Sequence, residues 1–179
     1  MFLMGWSASA PIVITGAMRG PGVPGADGPA NRPHLTVPAD AHVPPVALVR
    51  LALGDDGRML TTLPSLGYAG AVVEGFGGGH VAPATVPLVE SLAARMPVVL
   101  ASRTGSGEVL TRTYRYPGSE IELLELGVIS AGALDGLKAR VLLSLCLAAQ
   151  LSRRQIAAAF EGVGPGKCSP KRRESAMVG

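Results

Sequence analysis

At 179 residues and 18.2 kDa the chain has room for one domain with a sizeable core, or for one domain with loose flanks. Hydrophobic residues make up 47% and charged residues 16%, which excludes a disordered chain, and with aromatics at 4% the core must be built from Ala, Val and Leu. Much of the +3 net charge sits in the tail, at Lys167, Lys171, Arg172 and Arg173; a nucleic-acid footprint needs a basic stripe on a folded face, so no nucleic-acid partner is expected.

In chain order, the first residues and the small-residue run Ser7-Ala8-Ser9-Ala10 imitate a secretory signal, but no basic segment precedes them and the apolar run is short. No run reaches the roughly 18 apolar residues of a spanning helix, so no membrane partner is expected and the chain is read as cytoplasmic. Ile12 to Thr15 is a β-branched apolar run and reads as a short strand. From Arg19 to Pro45 the density of Gly and Pro predicts an irregular arm, and residues 1–45 are treated as one such unit. A structureless segment of that length suggests an exposed arm or one lacking its usual neighbours. Asp27 is expected to hold the turn at Gly28-Pro29.

From residue 46 to 161 the pattern alternates. Val46–Leu51, Ala69–Val73 and Pro97–Ala101 read as strands; Arg58–Leu66, Pro83–Arg95, Leu137–Gln150 and Ser152–Glu161 read as helices, with Ser152 as an N-cap. Apolar strands separated by helices imply a small parallel sheet covered by helices on both faces, an α/β fold. Lys138 and Arg140 open the apolar helix and are expected to brace it by pairing with nearby carboxylates. Cys146 lies in an apolar run and Cys168 in the polar tail, so both are expected to be free thiols. Residues 162–179 are expected to be a disordered basic tail.

Ligands of parallel α/β sheets sit outside the carboxyl ends of the strands. Two segments occupy that position: Glu74-Gly75-Phe76-Gly77-Gly78-Gly79-His80 and Ser102-Arg103-Thr104-Gly105-Ser106-Gly107. Their glycines would let backbone amides approach a ligand, and their hydroxyls would add hydrogen bonds. The spacing of a dinucleotide fingerprint is absent, and so is the following acidic residue. Residues His34, His42 and His80 have no metal-ligand spacing, so neither metal nor cofactor is expected.

In order, the segments read GFGGGHVAPA, then PVVLASRTGSG, then LGVISAGALDGLKARVLL. This succession, over residues 46–161, resembles the C-terminal domain of bacterial-type L-asparaginases and glutaminases. Upstream, PIVITGAMR followed by ADGPAN is similar to an element of the same family's N-terminal domain, so residues 1–45 read as a remnant of it. The resemblance implies hydrolysis of L-asparagine, or of glutamine, to the acid and ammonia. It also implies a homo-oligomer, with the active site completed across a subunit interface by this domain. His80 stands where many members have Asn, and the contributed carboxylate aligns with Glu120, or with Glu122 if the alignment slips. Such a carboxylate would bind the substrate's α-ammonium group. On the residues alone, His80 could equally cap the following helix or face solvent, and Arg103 could be a structural brace.

The family's threonine nucleophile, its Thr-Asp pair and its lysine have no match in these residues. Thr15 falls at an ordinary family position. No other nucleophile set with a recognisable pattern is present, so no residue is assigned a catalytic role. Two readings follow. The chain is a fragment or internally deleted form of an amidohydrolase, inactive alone, supplying His80 and Glu120. Alternatively it is a non-catalytic module that pairs with itself or with an intact asparaginase.

Overall fold

A computed structural model describes residues 12–15, 34–105 and 107–163. The expected turn at Asp27, Cys168 and most of the basic tail lie outside these residues.

Four parallel strands form the main sheet in chain order: β3 (Val46–Arg50), β4 (Gly70–Gly75), β5 (Val98–Ser102) and β6 (Ile129–Ser130). The pairing is parallel throughout, with Leu48 opposite Val72, Val73 opposite Leu100 and Val99 opposite Ile129. Strand residues alternate between faces, and two cores result. On one face Ala47, Val49, Ala71, Val73, Val98 and Leu100 meet Leu60 of α1 (Arg58–Thr62), Val89 and Leu92 of α2 (Val86–Arg95) and Leu123 of α3 (Glu120–Glu125). On the other face Val46, Val72, Val99 and Ala101 meet Ala139, Leu143 and Cys146 of α4 (Gly136–Ala148) and Ile156 and Phe160 of α5 (Arg153–Val163). The fold is therefore the expected α/β type, a small parallel sheet between helical layers. Because α1, α2 and α3 all cover one face, each strand-to-strand crossover runs over the same side, as crossovers of one hand require.

Three elements differ from the sequence reading. First, the segment read as an irregular arm contains β2 (His34–Val37), antiparallel to β1 (Ile12–Thr15). Leu35 and Val37 are buried and Thr36 between them is exposed, a strand alternation too short to stand out between Pro33 and Pro38. These two apolar side chains join the α4 core, which gives a lone ribbon something to hold. Second, α1 ends at Thr62 rather than Leu66; Leu63 keeps helical backbone, but Pro64 has no N–H to continue the ladder. Third, the stretch between β5 and the apolar helix carries α3 and β6. Helix α3 has only six residues, below the length at which periodicity shows. Its end is closed by the pair Val128 N–H to Leu123 carbonyl (3.1 Å) and Gly127 N–H to Leu124 carbonyl (3.0 Å).

The remaining helix ends follow the expected chemistry. Pro83 opens a single 3-10 turn that leads into α2. Asp135 caps α4 by accepting the Lys138 N–H at 2.9 Å. Ser152 caps α5 in a reciprocal arrangement in which its own N–H donates to Gln155 Oε1 at 2.9 Å. Helix α5 runs to Val163, two residues beyond the expected helix end at Glu161. Lys138 pairs with Asp135 at 2.9 Å, as expected, but Arg140 finds no carboxylate among the described residues: its Nε donates to the Val46 carbonyl and ties α4 to the start of β3. Cys146 is free and buried, and desolvation pushes its thiol up to about 11, so it is inert core.

Candidate functional site

The loop after β4 is a tight hairpin. Phe76 N–H donates to the His80 carbonyl at 2.7 Å, and His80 N–H returns to the Phe76 carbonyl at 2.9 Å. A Cβ on Gly78 would lie 2.5 Å from Leu110 Cδ1, and one on Gly79 would lie 2.8 Å from Val109 Cγ1. These glycines admit the chain's own Val109-Leu110 segment, which is further held by the Leu110 N–H to Gly78 carbonyl bond at 2.8 Å. Close backbone approach here thus serves internal packing.

The loop after β5 is braced in the same way. Ser102 Oγ donates to the Gly77 carbonyl at 2.6 Å and lies 2.8 Å from Thr104 Oγ1. Arg103 stacks its guanidinium 4.3 Å above the Phe76 ring and donates to the Leu51 carbonyl at 2.9 Å, the bracing role that its position allowed. A shallow cleft of about 490 Å³ lies between this loop and the start of α4, lined by Ser102, Gly105, Gly107, Glu108, Asp135 and Lys138. Neither His80 nor Glu120 lines it.

Those two residues are brought together elsewhere. Gly118, at φ 87°, turns the chain so that its carbonyl accepts the Val81 N–H at 2.9 Å. A Cβ there would stand 2.2 Å from the Val81 carbonyl oxygen, so only glycine fits. That junction sets the first residue of α3, Glu120, against the residue before Val81. Glu120 Oε2 lies 3.5 Å from His80 Nδ1. Glu120 is wholly buried, and its Oε1 accepts the Thr113 and Tyr114 N–H groups at 2.8 and 2.9 Å. Burial alone would raise its pKa; the two backbone bonds and His80 outweigh that and hold the carboxyl below its ordinary 4.5. Glu122, the alternative carboxylate, closes the turn instead by accepting the Gly118 N–H at 2.6 Å.

Two tyrosines that the sequence did not single out complete the setting. The ring of Tyr114 meets His80 at 5.2 Å and 76°, and that of Tyr116 at 5.3 Å and 44°. Both keep nearly half their surface exposed. Tyr116 titrates above its ordinary 10.0, through partial desolvation and then the Glu120 charge. The motif Tyr114-x-Tyr116 before Gly118 was the available signal; spacing alone gave no reason to place it on His80. Glu74 is a further buried carboxylate at the end of β4, and it is taken by Arg50. Among the described residues no group of three or more His, Cys, Asp and Glu is gathered that could hold a metal ion. Nor is any helix among them long and apolar enough to cross a membrane.

Comparison with known proteins gives this arrangement a family. Residues 45–160 match the Glutaminase/Asparaginase C-terminal domain. An L-asparaginase of Bacillus licheniformis is 36% identical over 107 residues, covering 59% of this chain and 33% of that protein. A probable L-asparaginase of Deinococcus radiodurans is 40% identical over 101 residues, 52% of this chain and 30% of that one. A glutamyl-tRNA(Gln) amidotransferase of Methanosarcina acetivorans matches through one of its component chains, 35% identical over 94 residues, 52% of this chain and 20% of that one. In structure, the chain is similar to the probable cytoplasmic L-asparaginase from Campylobacter jejuni, with a TM-score of 0.57 and 29% identity over 66% of this chain and 35% of that one. The matched region thus spans about a third of the asparaginases and less of the amidotransferase chain. With the family matched over residues 45–160 and the fold shared with a solved asparaginase, the chain belongs to the glutaminase/asparaginase family through its C-terminal domain.

Proposed function

We propose that this chain contributes one side of a shared amidohydrolase site, at which an amino-acid amide, L-asparagine or L-glutamine, is hydrolysed to the acid and ammonia. The observation that carries this reading is the meeting of His80 and Glu120, forty positions apart in sequence, at 3.5 Å and away from the cleft beside α4. Both residues stand at the positions that the family resemblance marks for such a contribution. We further propose the division into an N-terminal remnant over 1–45, the α/β domain over 46–161 and a basic tail over 162–179.

By itself the chain is expected to be inactive. A hydroxyl attacks an amide only when a base activates it and donors await the oxyanion. Among the described residues Ser102 and Thr104 spend their hydroxyls on each other and on the Gly77 carbonyl, and Ser119 is wholly buried. With L-asparagine or L-glutamine, the chain alone should release no ammonia above blank; clear turnover would overturn this claim. The positive test is complementation. An intact L-asparaginase disabled at its own positions corresponding to His80 and Glu120 should regain ammonia release when refolded with this chain. If mixed assemblies form without activity, the shared-site reading is wrong.

The second reading, a non-catalytic module pairing with itself or with an intact asparaginase, draws on helix α4. Leu137 and Val141, one turn apart, leave 67% and 55% of their surfaces exposed. Light scattering tests it directly: a clean monomer that also ignores an intact asparaginase counts against it.

A further inference from the structure

We infer that Glu120 acts through His80 rather than on a ligand: it is a positioning carboxylate that holds the imidazole as the Nδ1–H tautomer, so that the chain presents Nε2 as a hydrogen-bond acceptor. The inference rests on the proposed shared site only for what Nε2 meets; the tautomer stands on geometry alone.

Glu120 has no exposed surface, so a ligand cannot reach it without the fold opening. Its two oxygens face different partners. Oε1 takes two backbone N–H groups, from Thr113 and Tyr114. Oε2 is buried without a hydrogen bond that meets ordinary geometry, and so is His80 Nδ1, 3.5 Å away. An ionised carboxylate can only accept. A lone pair on Nδ1 would face it with repulsion and leave a buried charged oxygen without a donor, which costs its full desolvation penalty. A proton on Nδ1 removes both penalties. The neutral ring then carries its lone pair on Nε2. Tyr114 and Tyr116, packed against the ring, oppose its reorientation. The His80 side chain keeps 15% of its surface, and with Nδ1 buried the Nε2 edge is the polar edge left for a ligand. That edge accepts from a donor of the kind an amino-acid amide offers, an ammonium or amide N–H. A family member with Asn at this position can offer a donor or an acceptor by turning its amide; His80 held by Glu120 offers one of the two.

The test is 15N NMR of the imidazole nitrogens in the full chain, at a pH where the rings are neutral. His80→Gln identifies the His80 signals among the three histidines of the sequence. In the unaltered chain, Nδ1 should be of the protonated, pyrrole type and Nε2 of the bare, pyridine type. In Glu120→Gln the amide oxygen must keep serving Thr113 and Tyr114, so its NH2 falls opposite Nδ1 and donates to it. The tautomer should therefore invert to Nε2–H. Finding Nε2–H in the unaltered chain overturns the inference, whether or not the variant folds. The same tautomer in both folded proteins overturns it as well. Failure of complementation would leave these nitrogen signals unaffected, so the two proposals fall separately.

Discussion

Glu120 shows how little a residue type says about its surroundings. Glutamate is almost never fully buried unless paired, and nothing in the run Glu120-Ile-Glu-Leu-Leu-Glu marks its first carboxylate as interior and its third residue as a turn closure. The alignment with a family pattern singled out Glu120; the backbone donors at Thr113 and Tyr114 were legible only in three dimensions. Their bonds have a pH consequence. The folded carboxyl is depressed below its ordinary 4.5, so its contribution to stability is complete above that value and is lost as pH falls through the lower folded value. Denaturation midpoints should fall more steeply below pH 4.5 in the unaltered chain than in Glu120→Gln; parallel profiles would refute this. Gly118 makes the complementary case for the backbone. In Gly118→Ala a left-handed φ and a clash with the Val81 carbonyl act together, and we expect a loss of roughly 3 kcal/mol by urea unfolding, with the His80 ring signals displaced.

Among the elements, the sequence was readable wherever a run was long and apolar. The strands β3, β4 and β5 and the helices α4 and α5 lie within a residue or two of where pattern and caps put them, as does α2 once the 3-10 turn over Pro83–Thr85 is counted with it. The short pieces were not, since β2, α3 and β6 have four, six and two residues and owe their conformation to the core they touch. One helix end went against its residue type. After α4, Gln150 takes φ 55°, with its N–H on the Leu147 carbonyl at 2.9 Å and the Leu151 N–H on the Cys146 carbonyl at 3.0 Å. Glycine is the usual occupant of this place in a helix terminus. Gln150→Gly should therefore raise stability by about 1 kcal/mol, seen as a later urea midpoint with an unchanged slope. A lower midpoint would mean that the side chain contributes more than the strained backbone costs.

At the scale of the whole molecule, the sheet is covered on both sides, and the candidate pair sits where α3 meets the glycine hairpin, apart from the cleft between the β5 loop and α4. The family order of motifs located that pair, because it encodes adjacency that spacing does not. The all-parallel pairing has a kinetic side. No neighbouring strands of the main sheet are joined by a local hairpin; each rung waits for a crossover to close. Among the described residues the antiparallel ribbon of β1 and β2 joins strands that lie 18 residues apart in sequence. Loop-closure entropy is spent before any ladder forms, which places folding in the slow range, about milliseconds to seconds. During that interval the apolar strands β4 and β5, both buried on every residue in the finished fold, are exposed to one another across chains. Stopped-flow refolding should accordingly give a yield that falls as protein concentration rises, while the rate of the native fraction stays constant.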